Sequence, residues 1–115
     1  VSDWTARLSE ARAAAERELT SQLGGATLCQ IRSDGRVTGG AKYAEGRLVA
    51  LVDLQRRLHD DDGEPLAAVQ DELARWAADL ERLRAHDRPS LTWLAYRQGG
   101  CDALVEVANG RTVND

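Results

Sequence analysis

Between residues 3 and 23, Trp4, Leu8, Ala11, Ala15, Leu19 and Leu23 recur three or four apart, the spacing of one face of an α-helix. Ser2 or Asp3 can serve as its N-cap and Gly24 as its C-cap. The stripe is narrow, and Ala11 and Ala15 leave room for another element to approach closely, within the fold or across a dimer.

From Gly24 to Gly40 the pattern changes to an apolar run, a Ser33-Asp34-Gly35 turn and a second short run, with glycine pairs at both ends. This predicts a β-hairpin. A two-residue Asp34-Gly35 loop would pair Ile31 with Thr38. A three-residue loop with Gly35 left-handed pairs Ile31 with Val37 and places Cys29, Ile31 and Val37 on one face, so this second register is expected.

Helical period returns from about Ala41 to His59, where Ala44, Leu48, Leu51, Val52 and Leu58 share a side that Val49 and Leu54 widen. Such breadth predicts the most buried helix, with Lys42, Asp53, Arg56, Arg57 and Asp60 turned to solvent. His59 to Gly63 reads as a polar connection. A third helix over 64–86 carries Leu66, Val69, Leu73, Trp76, Leu80 and Leu83 at heptad spacing, with Asp71, Arg75 and Asp79 forming four-residue ion pairs on its flank and Arg88-Pro89 ending it.

Residues 91–97 and 103–108 are rich in Leu, Thr, Trp, Tyr and Val and flank Gly99-Gly100. They read either as two short helices or as a second hairpin. With a turn at the glycines, Tyr96 faces Ala103, Leu94 faces Val105 and Thr92 faces Val107, a coherent apolar surface. A lone two-stranded hairpin is marginal in water, so the first hairpin calls for more strands. The expected fold is therefore α+β: three helices packed on a mainly antiparallel sheet made of two β-hairpins, in the order α-β-β-α-α-β-β. The alternative is a mostly α chain with a single hairpin. Residues 1–115 form one domain in either case, with 111–115 a flexible tail.

Composition narrows the picture. The 115 residues are 43% hydrophobic and 30% charged, and lack both Phe and Met. The core must therefore be Leu, Val and Ala anchored by Trp4, Trp76 and Trp93. A net charge of −4 opposes general attraction to phosphate backbones and anionic membranes, leaving nucleic acid only a local basic rim. Lys42 is the single lysine among fifteen basic residues, a bias that GC-rich bacterial coding explains. The longest apolar run, Leu48 to Val52, is far short of a membrane span, and the opening residues lack a secretory pattern, so the cytoplasm is expected.

Candidate chemistry is sparse. Gly35, Gly40 and Lys42 resemble a phosphate-binding loop only superficially, because Ala41 separates glycine from lysine and Tyr43 stands where a magnesium-binding hydroxyl is needed. A weaker site remains at the junction of hairpin and helix. Lys42 in the first helical turn calls for a nearby carboxylate, such as Glu45, or for an anion. Arg32, Arg36 and Arg47 lie close in sequence, and amides after Gly39 and Gly40 could meet a phosphate or carboxylate. Arg32, Arg36, Gly40, Lys42 and Arg47 are thus the candidate anion- or partner-binding residues. The His59–Glu64 segment lacks calcium-loop spacing and reads as a linker in which Asp62 caps the next helix; no metal site and no cofactor are expected. Cys29 is expected as a packed thiol and Cys101 as a more exposed one, neither of them catalytic.

These patterns predict a non-catalytic protein-interaction or regulatory domain, homodimeric through an apolar helix surface containing Trp4, Ala11, Ala15 and Trp76. The alternative is a small-ligand or nucleotide/anion-binding domain, possibly an enzyme, with its pocket near Tyr43, Arg36 and Lys42.

Overall fold

The computed structural model describes residues 2–23, 30–34, 36–60 and 63–110. Gly24, Cys29, Gly35, Asp62 and 111–115 lie outside them, as do the C-cap, packed thiol, left-handed turn, helix cap and flexible tail expected there. Among the described residues, four helices and one strand pair follow in order: α1 (Ser2–Leu23), β1 (Gln30–Ile31), β2 (Val37–Thr38), α2 (Gly40–Asp60), α3 (Pro65–Arg84) and α4 (Leu91–Ala108).

The α+β expectation is therefore corrected. Among the described residues the strands are limited to this one short pair, too little for three helices to pack on, and the second hairpin is instead the single continuous helix α4. Its start is encoded locally: the Ser90 side chain accepts a hydrogen bond from the Trp93 amide at 3.4 Å, directly after Pro89. Gly99 and Gly100 then lie in mid-helix, where they admit neighbours rather than make a turn. A Cβ on Gly99 would overlap the Tyr43 carbonyl of α2, and a Cβ on Gly46 of α2 would overlap the Tyr96 carbonyl of α4. Each helix thus receives the other's backbone at a glycine. A Cβ on Gly100 would overlap the indole of Trp76 from α3.

These contacts make α4 the central helix. Leu94, Ala95, Gln98, Gly99, Gly100, Cys101, Ala103, Leu104 and Val107 are buried along it, against six residues on α2, which was expected to be the most buried. A helix that is apolar on several sides has to be enclosed by its neighbours. Its most extensive contact is with α2, followed by α3, while α1 lies mainly on α2. Leu51, Leu54, Val69, Leu104 and Val107 are the largest fully buried side chains at this junction.

The first hairpin has the expected register: Ile31 pairs with Val37 and Gln30 with Thr38. Asp34 Oδ1 accepts from the Arg36 amide at 3.1 Å, and the Arg32 amide donates to the Arg36 carbonyl at 2.7 Å, closing the turn. With no further strand beside it among the described residues, the pair covers only one of its apolar residues. Val37 is buried, yet Ile31 is 65% exposed.

Local polar expectations on α3 also change partners. Glu64 is its N-cap, accepting from the Leu66 and Ala67 amides at 3.3 and 3.2 Å ahead of Pro65 at the first turn. Arg75 pairs with Glu72 at 2.6 Å. Asp71 instead takes Arg57 of α2 at 2.7 Å, so Arg57 ties two helices together rather than facing solvent. The gain is interhelical: Arg57 also reaches Glu72 at 3.2 Å.

Gly46→Ala and Gly99→Ala should each lower the melting temperature. Overpacking typically costs about 1–3 kcal/mol, and the helix-propensity gain of roughly 1 kcal/mol offsets only part of it. Trp76→Ala should cost about 3–5 kcal/mol. Thermal unfolding followed by circular dichroism checks the series, and a rise in melting temperature for both glycine variants would exclude the close crossing.

Candidate functional site

The glycine pair before α2 turns the chain from β2 into the helix, with φ of 78° at Gly39 and 80° at Gly40, a region that glycine enters without steric cost. This tight entry brings Arg36, Lys42, Tyr43 and Arg47 toward α4. There each cation meets a carboxylate. Arg36 Nη2 donates to Asp102 Oδ2, as does the Tyr43 hydroxyl, and Gln98 Nε2 donates to Asp102 Oδ1 at 2.9 Å. Arg84 of α3 extends the chain of contacts, donating to Gln98 Oε1 at 3.2 Å. Asp102 thereby joins the hairpin, α2 and α4.

Arg47 makes a two-pronged pair with Glu106, at 3.1 and 2.6 Å. This geometry matches the guanidinium fork to the carboxylate. Burial pulls the Arg47 pKa down, but the hydrogen bonds and charge of Glu106 outweigh it and the net shift is upward. Lys42 pairs with Glu45 at 2.8 Å, the carboxylate that its first-turn position called for. Arg32 is exposed at the hairpin end, and Gly40 is buried at the start of α2. Of the candidate anion-binding residues, three cations already hold carboxylates. An incoming anion would have to displace Asp102, Glu45 or Glu106.

Asp102, Gln98 and Glu106 were not anticipated as part of this junction. Once 91–108 is read as a helix, their spacing of four places them on one face, so the signal was present but hidden by the strand assignment.

Burial, reinforced by the hydrogen bond and charge of Asp102, pushes the Tyr43 pKa up to about 12. Cys101 is buried, not exposed as expected at a turn, because the preceding glycines lie inside α4. Burial and then the charge of Asp102 push its thiol up to about 11, so it is protonated at neutral pH and a poor nucleophile.

The four candidate interface residues are divided by the fold. Ala15 and Trp76 are buried within the chain, whereas Trp4 and Ala11 are half-buried. Trp4 carries the Arg7 guanidinium 4.4 Å from its ring centroid. Arg7 Nη1 also donates to the Val107 carbonyl at 2.9 Å, which fastens the beginning of α1 to the end of α4. Trp4 opens onto a cleft of about 1020 Å³ between α1, the last turns of α2 and the start of α3. Trp4, Leu8, Leu58 and Pro65 supply its apolar surface, and Arg12, Gln55, Arg56, His59 and Glu64 its polar edge. Arg12 is held by Gln55 at 2.9 Å and Glu16 at 3.2 Å. Arg56 is exposed, with Asp53 at 3.9 Å.

Among the described residues, no three His, Cys, Asp or Glu side chains converge in a way that could hold a metal ion. Among the described residues, no helix is long and apolar enough to cross a membrane. Comparison with protein-family models, curated proteins and solved structures finds no match to this chain.

The raised Tyr43 pKa makes stability fall in alkali. Below its ordinary value of 10.0 the phenol is neutral in both the folded and unfolded chain and the contribution is complete. Between pH 10.0 and about 12 the unfolded chain releases the proton more readily than the folded one, so stability drops by about 1 kcal/mol per pH unit. Tyr43→Phe should cost about 1 kcal/mol at pH 7 and should lose less stability than wild type between pH 10 and 11. Urea unfolding at the three pH values measures both effects; parallel losses would separate Tyr43 from the alkaline transition.

Proposed function

We propose that this chain is a non-catalytic protein-interaction domain whose cleft between α1, α2 and α3 docks an apolar, acid-flanked segment of a partner protein. The open cleft of about 1020 Å³ beside Trp4 carries this reading. Its volume lies at the upper limit of ordinary small-molecule pockets, and its apolar floor suits the anchor residues of an amphipathic helix laid into a groove. Trp4 is the natural anchor, since aromatic residues in sheltered apolar settings dominate binding energy at interfaces.

Charge selects the occupant. Arg12 and Arg56 stand at the edge of the cleft, each beside one carboxylate of its own helix, Glu16 and Asp53, and each with further guanidinium donors, while the Glu64 carboxylate there is engaged with the first amides of α3. A partner with acidic flanks complements that edge and gains on-rate from it. A two-fold pairing of this cleft with its own copy would gather two sets of Arg12 and Arg56 in one interface. For that reason a different chain is favoured over the homodimer, even though Trp4 and Ala11 of the expected dimer surface remain half-buried.

The test uses a synthetic helix-forming peptide with leucines at i, i+3, i+4 and i+7 and glutamates on its flanks, beside a lysine-flanked counterpart. The acidic peptide should bind at least about fivefold more tightly at low salt, perturb the Trp4 indole resonance, and lose its advantage in Arg56→Glu. Trp4→Ala should weaken it by at least about tenfold. Equal binding of both peptides, or an unmoved Trp4 resonance, would overturn the reading. A concentration-dependent dimer by sedimentation that Trp4→Ala dissolves would replace it with self-association through the same face.

A further inference from the structure

A second, smaller cleft lies on the opposite pair of helices, remote in sequence from the α1 groove. Asp79, Arg82, Leu83 and His86 of α3 and the turn after it face Trp93 and Arg97 of α4 across a volume of about 300 Å³. Trp93 is 46% exposed at the beginning of α4, an unusual setting for the largest apolar side chain in a protein with three tryptophans. Its ring is held rather than loose. Tyr96 meets it in a T-shaped contact with centroids 5.4 Å apart, and the Lys42 ammonium sits 5.0 Å from its centroid. Tyr96 in turn packs against Trp76, also at 5.4 Å.

The polar wall is similarly fixed. The Arg97 guanidinium lies over Trp76 at 4.8 Å and over Tyr96 at 5.3 Å, and reaches Asp79 Oδ2 at 3.2 Å. Arg82 pairs with the other oxygen, Asp79 Oδ1. One carboxylate is therefore shared by two guanidinium groups, each with five N–H donors. The cleft carries an excess positive charge and spare donors on a chain whose net charge is −4. Arg97 is preorganised by its aromatic support, and Arg82, paired with Asp79 at 71% side-chain exposure, presents its remaining donors to solvent at the mouth of the cleft.

We propose that this cleft binds a small planar aromatic anion, the ring packing on Trp93 and its phosphate or carboxylate bridging Arg82 and Arg97. The volume is at the small end of ligand sites, the size class of a single nucleotide or an aryl acid rather than a polymer. Aromatic stacking accommodates any flat ring, whereas the paired guanidinium forks require an anion with two or more acceptor oxygens. Asp79 plays two parts. It holds both arginines in place, and it competes with the ligand for them. Removing its charge should therefore tighten binding, the reverse of what a ligand-contacting carboxylate would show.

Adenosine monophosphate serves as the nucleotide probe and indole-3-carboxylate as the aryl-acid probe, with adenosine and inorganic phosphate each supplying one half of the chemistry. Titrations follow Trp93 Nε1 and Arg97 Nε resonances in the full chain. At least one of the two aromatic anions should shift both resonances and bind about tenfold more tightly than adenosine or phosphate alone. Trp93→Leu should weaken it by about tenfold, the scale of base stacking, and Arg82→Gln by about fivefold. Asp79→Asn should strengthen it severalfold. Both substitutions at exposed positions, Trp93→Leu and Arg82→Gln, should leave the circular dichroism spectrum unchanged. If neither aromatic anion moves either resonance, or if phosphate alone binds as well as both, the proposal fails. It also fails if Asp79→Asn weakens binding while remaining folded.

Discussion

The crossing of α2 over α4 is the contact on which the other features depend. Gly46 admits the Tyr96 carbonyl and Gly99 admits the Tyr43 carbonyl, so the two backbones approach more closely than any side chain would allow. Glycine within a helix costs roughly 1 kcal/mol in propensity at each position. That cost is offset by packing along the most extensive helix pair in the molecule. The same approach sets the reach of the polar side chains. Arg47 and Tyr43, on α2, can meet Glu106 and Asp102 because the helix axes lie close at this point.

With α4 enclosed, its neighbours have little freedom in where they sit. The Trp76 indole rests on Gly100 and thereby fixes α3. Trp76 also supports Tyr96 and Arg97, so an internal packing residue shapes the wall of an external cleft. On the other side α1 lies on α2 and is pinned to the end of α4 by Arg7. The two clefts are consequences of four helices of unequal placement. One lies between α1, the last turns of α2 and the start of α3, the other between the end of α3 and the start of α4.

Electrostatics separates those clefts from the junction that glycines and arginines first suggested. Arg36, Lys42 and Arg47 are close to one another, but Asp102, Glu45 and Glu106 neutralise them one by one. A basic cluster in sequence is therefore a structural tie in space. Around Asp79 the balance runs the other way, with two guanidinium groups on one carboxylate. The difference is not one of composition. It arises because α4 contributes two acids to the junction and an arginine to the cleft.

Much of this architecture was written in the sequence through local rules. The periods of Trp4 to Leu23, Ala44 to Leu58 and Leu66 to Leu83 mark three helices, since each has one apolar stripe, buried along its middle though Leu23 and Leu66 at the ends are exposed, and a helix shows its stripe at every third or fourth residue. The Ile31–Val37 register followed from turn geometry, and the Lys42–Glu45 pair from the unfavourable placement of a cation in a first turn. Residues 91–108 resemble strands in sequence for a physical reason. Their buried positions include Gln98, Gly99 and Gly100, polar or without a side chain, so the helical stripe is interrupted where packing is tightest, while Thr92, Leu94 and Tyr96 imitate an alternating strand. Glycine carries no information about which of its uses applies: a turn and a close helix crossing call for the same absent Cβ. Only the tertiary structure decides between them, because the reason for Gly46 and Gly99 lies in a carbonyl group about fifty residues away along the chain.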